Sequence, residues 1–311
     1  MKKQNNESEH EPTPNQTDTP EDASVLADIS LTADSDVGPV PGVPEGKSPK
    51  ALSLERKIMR ALPEVLHELA HAALEDEEIL AYQDYANVVS IRRLGYNDHG
   101  PVHMRKVVLN ALKMADLLEK ADVPLSLERE GGGTHDDSVA AIFLGGLLHD
   151  IGMSVTRDGH EHVGARLALP ILDRLLPIYT GNDIRRMVTI RSLAVETIVG
   201  HMATVSIHSI EAGLILIADG CDMEKGRARI PMLLNTHARV GDIHKYSSAA
   251  VEKIRITEGE RKPICITIEM SSTVGFFQVE EVLFTKLNSS PVKPFIELQA
   301  GVDGEEMKVY L

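Results

Sequence analysis

The amino-acid sequence predicts a mainly α-helical protein with a small α+β appendage at its C-terminus and a disordered tail at its N-terminus. Apolar residues recur at helical spacing through most of the chain. Alternation of apolar and polar residues, which is typical of strands, begins only near Val251. The first 50 or so residues are rich in Asn, Glu, Asp, Ser, Thr and Pro. Such a composition cannot bury enough apolar surface to offset the entropy lost on ordering.

These observations predict a tail at residues 1–50, a helical domain at residues 51–245 and a small C-terminal domain at residues 246–311. A chain of 311 residues can form one large and one small domain with ample core. Trp is absent and aromatic residues make up only 4% of the chain. The core should therefore consist mainly of Leu, Ile, Val, Ala and Met, which favours helices.

Charge and cysteine content exclude several classes of protein. A net charge of −15 argues against a general nucleic-acid-binding surface, so we expect no nucleic-acid polymer as a partner. Cys221 and Cys265 are too few for a disulfide framework and form no zinc-binding pattern, so a reducing cytoplasm is the expected compartment. The sequence shows no cleavable signal and no apolar run long enough to span a membrane, so no membrane association is expected.

The first helical segment is predicted to start at Ser53 as its N-cap and to break at Pro63. A second amphipathic segment starts near Ile79 and ends near Gly95. Pro101 lies near the first position of the next helix, which runs to about Lys120. Further helices are predicted at residues 137–149, 159–177, 183–199 and 209–223.

Gly131-Gly132-Gly133 lies in a polar stretch before the helix at residues 137–149. A phosphate-binding loop would need a preceding strand and a following Lys-Ser/Thr pair, and both are missing here. We interpret these glycines as a flexible loop.

The C-terminal appendage is predicted to have the order ββαβ. Strands at Val251–Thr257 and Ile264–Met270 flank a turn at residues 258–260, an amphipathic helix runs from Phe277 to Leu287, and a third strand covers Phe295–Ala300. Its apolar content indicates that it packs on the helical domain or on another subunit. A homodimer formed through this domain is therefore one expected assembly.

The candidate functional residues are His and Asp residues at or near the ends of four helical segments: His103, His149-Asp150, His201 and Asp219. Asp150 follows the apolar run at residues 140–148, where an unpaired carboxylate would cost several kcal/mol. An isolated His-Asp pair is commonly a buried histidine with a solvent-facing carboxylate. A mixed set of imidazoles and carboxylates instead suits a divalent transition metal.

His103, His149-Asp150 and Asp219, in this order and in these apolar surroundings, resemble the H…HD…D signature of the HD-domain metal-dependent phosphohydrolases. The resemblance covers roughly residues 95–230. It implies an HD-type helical bundle in which a metal-bound hydroxide attacks the phosphorus of a phosphate ester. The implied enzyme is of the nucleotide phosphatase or phosphodiesterase type, with Asp150 at its catalytic centre.

His160 and His201 resemble two further ligands of the binuclear HD phosphodiesterases, His160 within the sequence His160-Glu161-His162-Val163-Gly164. The resemblance then implies two metal ions, which could be Mn, Fe, Zn, Ni or Co. One ion would be held by His103, His149, Asp150 and Asp219, and the other by Asp150, His160 and His201. A polar helix start at His160 remains the alternative.

The sequence departs from the family pattern at Met153, where many members have a Lys that acts as a general acid or binds phosphate. Arg157 or a later residue would have to serve. The Gly-Tyr-Pro stretch of the cyclic-di-GMP branch is also absent, so that substrate is not assigned. Arg227 and Arg229 could neutralise phosphate charge, because guanidinium groups bind phosphate well. The alternative is a charged helix end facing solvent.

Asp98 and His99 are the predicted outer partners of His103, because a ligating imidazole usually donates its second nitrogen to an acceptor. The leading functional hypothesis is hydrolysis of a small phosphate ester or nucleotide. A nucleotide-sensing regulatory module with little turnover is the alternative. Oxygenase chemistry, which related binuclear iron sites support, is a third hypothesis.

Overall fold

The computed structural model of the chain describes residues 47–224 and 243–311. The tail predicted for residues 1–50 lies almost entirely outside the described residues. Arg227 and Arg229 also lie outside them. Within the described residues, no helix is both long and apolar enough to cross a membrane.

Helices dominate the described part of the chain, which confirms the predicted fold class. The helices are α1 (Pro49–Ala61), α2 (His67–Leu74), α3 (Glu77–Val88), α4 (Pro101–Lys120), α5 (Ser126–Arg129), α6 (His135–Leu148), α7 (His160–Leu175), α8 (Pro177–Thr180), α9 (Ile184–Gly200), α10 (Ile210–Gly220), α11 (Ile243–Ala250) and α12 (Phe284–Asn288). Short 3₁₀ turns cover Glu64–Leu66, Ile151–Ser154, Thr273–Gly275 and Lys293–Phe295, and π-helical turns cover Val89–Arg93 and Gln278–Leu283.

The start of α1 differs from the prediction. Ser48, not Ser53, is the N-cap, and its side-chain oxygen accepts a hydrogen bond from Ala51 N at 3.2 Å. Pro49 occupies the first helical position, where its missing N–H costs nothing. Ser53 lies inside the helix. Both serines are acceptable caps by residue type, so the following proline was the better indicator.

Helix α6 is the centre of the helical body, with α4, α9 and α10 packed around it. Every residue from Asp137 to Leu148 is buried. The sequence of α6 is apolar on all sides for this reason, since a helix enclosed by other helices has no solvent face. The chain therefore leaves α6 in the interior of the protein, directly at His149 and Asp150.

The C-terminal residues form a four-stranded mixed sheet with the order β1-β2-β3-β4. The strands are β1 (Val251–Thr257), β2 (Ile264–Met270), β3 (Ile296–Val302) and β4 (Lys308–Val309). The bounds of β1 and β2 agree with the prediction, and β3 is shifted by one to two residues. The two-residue strand β4 was not predicted. Strands β2 and β3 are parallel, so the chain between them must cross over, and this connection contains α12.

The appendage packs on the helical body, which is one of the two alternatives that its apolar content left open. Leu283 and Leu287 from the crossover connection are fully buried in the same core as the helices. The carboxylate of Glu224, which follows α10, accepts a hydrogen bond from Ile254 N in β1 at 3.0 Å. This packing places one face of α12 against α10. The homodimer remains a prediction.

Candidate metal centre

Six predicted ligands lie at helix ends or in the turns that follow them. His103 lies in the first turn of α4, His149 and Asp150 follow α6, His160 is the first residue of α7, His201 follows α9, and Asp219 is the penultimate residue of α10. The chain changes direction at the end of a helix, which lets the adjacent His149 and Asp150 face the same point. The structure brings all six side chains together, and none is more than 9% exposed.

Asp150 lies at the middle of this cluster. Its Oδ2 is 3.2 Å from His103 Nε2 and 3.4 Å from His149 Nε2. Its Oδ1 is 3.2 Å from His160 Nε2 and 3.4 Å from His201 Nε2. Each carboxylate oxygen thus faces its own pair of imidazoles, as a carboxylate that bridges two ions would.

The outer nitrogen, Nδ1, of each imidazole faces an oxygen that can only accept. The acceptors are Asp222 Oδ2 at 2.7 Å for His103, Gly146 O at 2.8 Å for His149, Arg157 O at 2.8 Å for His160 and Ile198 O at 2.7 Å for His201. Each Nδ1 therefore carries the hydrogen. In the neutral imidazole the inner nitrogen, Nε2, then carries a lone pair.

These lone pairs face each other in two pairs. His103 Nε2 is 3.2 Å from His149 Nε2, and His160 Nε2 is 3.1 Å from His201 Nε2. Two lone pairs cannot hydrogen-bond to each other, so each pair of neutral imidazoles needs either a proton or a metal ion between its nitrogens. Both nitrogens of a pair can reach one ion, because a metal–imidazole bond is about 2 Å long. The donor set therefore fits two divalent transition-metal ions, one for His103, His149 and Asp150 and one for Asp150, His160 and His201.

Asp219 lies beside the first of these groups. Its Oδ1 is 3.3 Å from His103 Nε2 and 4.0 Å from His149 Nε2. Its Oδ2 forms an ion pair with Lys286, which lies in α12. Lys286 was not predicted as part of the site, because no motif marks it and it lies far along the chain from the other residues.

The acceptor of the His103 Nδ1 hydrogen bond is neither of the two predicted outer partners, although the ring of one of them, His99, packs edge-on against His103 with 5.7 Å between the ring centres. His103 donates to Asp222, which in turn pairs with Lys106 Nζ at 2.9 Å. Asp98 instead accepts from the backbone N–H of Gly100 at 2.7 Å, in the turn before α4. The sequence places Asp222 three residues after Asp219, but this spacing by itself does not mark it as the partner of His103.

The surroundings of the cluster favour an ionised Asp150 and a neutral His201, whereas Asp150 raises the pKa of His160. Burial would raise the pKa of Asp150, but His149, His99 and His103 hold that pKa well below its usual range. Burial lowers the pKa of His201 to about 4, although Asp150 opposes this shift. An ionised carboxylate and a neutral imidazole are the forms that ligate a cation.

Met153 is fully buried beside the cluster, at the position where the family commonly has Lys. Its sulfur is 3.9 Å from Arg157 Nη1, and the Arg157 guanidinium lies 5.6 Å from the centre of the Tyr96 ring. The carbonyl of Arg157 is the acceptor that orients His160. Arg157 therefore brings a positive charge close to the second group of ligands.

Comparisons with known proteins agree with this geometry. The HD domain family matches residues 102–224, a segment that contains all six predicted ligands. The chain is also 35% identical over 252 residues to the "Uncharacterized protein MJ1020" of Methanocaldococcus jannaschii, which covers 81% of this chain and 94% of that protein. No solved structure gives a significant match.

Proposed function

The chain belongs to the HD-domain superfamily of metal-dependent phosphohydrolases, and on this premise we propose that it hydrolyses a phosphate ester of a small molecule or nucleotide. The observation that most directly supports this proposal is the position of Asp150, whose two carboxylate oxygens face two separate pairs of buried imidazoles. One cation would be enough for a simple structural site. A carboxylate shared between two groups of ligands is typical of centres that act on phosphoryl groups.

The proposed roles follow from the contacts. Asp219 joins His103, His149 and Asp150 around the first ion, and Asp150, His160 and His201 surround the second. The ions would neutralise phosphate charge and lower the pKa of bound water. The protein's own contribution is to orient the imidazoles and to shield them from solvent. The metal could be Mn, Fe, Zn, Ni or Co, all of which suit such a donor set.

We further propose that Arg157 binds the phosphate group of the substrate. Arg227 and Arg229 remain proposed for the same task, but they lie outside the described residues. Arg157 is better supported, because its backbone is fixed by His160 and its guanidinium is only partly buried beside Tyr96. The guanidinium group of Arg157 would supply the positive charge that is missing at Met153.

Replacing Arg157 by Met should raise KM for the phosphate ester and leave the metal content unchanged. Charge-assisted hydrogen bonds contribute about 1.5–3 kcal/mol, so kcat/KM should fall about 10- to 100-fold. Steady-state kinetics beside metal analysis measure both effects. Arg166→Met is the matched control, since Arg166 is an exposed residue of α7. An unchanged KM in Arg157→Met would contradict this role.

The proposed function is tested by metal analysis and a hydrolysis panel on the full-length protein. The panel contains phosphomonoesters, nucleoside mono-, di- and triphosphates, and linear and cyclic phosphodiesters. We expect two transition-metal ions per chain and hydrolysis of at least one class, lost on chelation and restored by metal. Failure to bind transition metal would contradict the proposal. Metal binding without hydrolysis, together with a Tm that a nucleotide raises, would favour the nucleotide-sensing module instead.

A further inference from the structure

Lys286 connects the C-terminal appendage to both groups of ligands. Its side chain is only 9% exposed. Its Nζ pairs with Asp219 Oδ2 and donates a hydrogen bond to the backbone oxygen of His201 at 2.8 Å. Asp219 lies beside the first group of ligands, and His201 belongs to the second. One ammonium group therefore holds a residue of each.

The local packing directs this ammonium group towards the centre. Leu283 and Leu287, on either side of Lys286 in sequence, are fully buried in the core. The stem of Lys286 passes over Gly220, where an added Cβ would lie 3.2 Å from Lys286 Cδ. Gly220 directly follows Asp219, so the absence of a side chain there leaves room for the lysine to reach the carboxylate.

Stability of the fold does not explain a lysine at this position. Removing an ammonium group from water costs several kcal/mol, and an apolar residue of similar volume is often at least as stabilising as a buried ion pair. The contact with Asp219 gives a more specific explanation. Lys286 occupies Oδ2 and leaves Oδ1 facing His103 Nε2 at 3.3 Å. Lys286 thus orients Asp219 in the same way that Asp222 orients His103.

We propose that Lys286 is a positioning residue that fixes Asp219 and the end of α9 for metal binding, so that the C-terminal appendage forms part of the metal centre. This inference rests on the metal centre of the proposed function. Partners that orient metal ligands typically contribute about 10- to 100-fold to metal affinity. The lysine lies beyond residues 102–224, which match the HD domain family.

The test compares full-length variants by calorimetric titration with Mn²⁺ and with Co²⁺, whose visible absorption reports the ligand geometry. Lys286→Met should weaken binding of one ion by about 10- to 100-fold and change the Co²⁺ spectrum. Lys286→Arg, which keeps the charge and donors, should recover part of the affinity. Lys308→Met is the charge control, because Lys308 is exposed in the same appendage and pairs with Glu280 at 2.7 Å. It should bind metal like the wild type.

Leu298→Ala separates positioning from a purely structural role. It removes a fully buried side chain in β3 of the same appendage, away from Lys286, so its Tm should fall while the folded protein keeps the wild-type metal affinity and Co²⁺ spectrum. If Lys286→Met does not fold, Lys286→Gln is titrated in its place, with the same expected loss. If the folded Lys286→Met or Lys286→Gln protein kept the wild-type metal affinity and Co²⁺ spectrum, the inference would be overturned. A wild type that binds both ions but hydrolyses nothing would contradict only the proposed function.

Discussion

Replacing Asp150 by Asn is expected to remove both metal ions and to lower hydrolysis of the phosphate ester by about 10⁴-fold or more, the scale seen when residues act as one catalytic unit. Asp150 is the carboxylate shared by the two groups of ligands, with one oxygen facing each. An amide has a single acceptor oxygen and no charge, so it cannot compensate two cations. Metal analysis and kinetics on the purified variant measure the two losses together.

The control for this substitution is Asp158→Asn, because Asp158 is an exposed aspartate in the turn before α7. It should keep both ions and full activity. His160→Ala provides a second comparison, since it should weaken the second ion and leave the first group of ligands intact. An Asp150→Asn protein that still holds two ions per chain would show that Asp150 does not bridge them.

Replacing Gly152 by Ala is expected to destabilise the protein by about 3 kcal/mol, at the upper end of the usual cost of overpacking. An added Cβ would lie 1.9 Å from His160 O and 2.6 Å from Gly164 N. Both atoms belong to the backbone of α7, so a side-chain rotation cannot relieve the clash. The helix would have to move and carry His160 away from Asp150. Urea unfolding of the metal-free protein measures the first effect, and metal titration the second.

Gly132→Ala is the matched control, since an added Cβ there would lie 3.6 Å from Leu127 Cδ2, an ordinary contact. This variant should unfold like the wild type and bind the same number of ions. If Gly152→Ala showed wild-type stability and metal content, the close approach of α7 to the turn after Asp150 would not be required.

The six candidate ligands could be named from the sequence because they match the ordered pattern of the HD-domain family, each within a short local stretch. His149 and Asp150 follow an apolar helix, and Asp219 lies in a second one. Lys286 and Asp222 could not be predicted as partners in the same way. Their roles depend on which surface of one helix packs against another, and this is set by the tertiary structure. The motif therefore identifies the candidate ligands but not the groups that orient them.

The secondary structure likewise contains elements that the sequence predicts and elements that depend on the tertiary structure. Both ends of the helix Pro101–Lys120 were predicted, and proline at its first position marked the start. Strands β1 and β2 were predicted because they alternate clearly in sequence. Strand β4 consists of Lys308 and Val309 and exists only through its pairing with β3. Two residues carry no periodic signal, so such a strand cannot be recognised before its neighbour is in place.

The acceptors around the imidazoles have a consequence for how metal affinity can change by mutation. His149, His160 and His201 each donate to the backbone oxygen three residues earlier. No side-chain substitution can delete a backbone carbonyl group. Point mutations at the acceptor positions therefore cannot remove the hydrogen bonds that orient these three imidazoles. Asp222 and Lys286 are side chains and lack that protection. Adjustment of the centre to a different metal, in evolution or in the laboratory, would therefore be concentrated at these two positions.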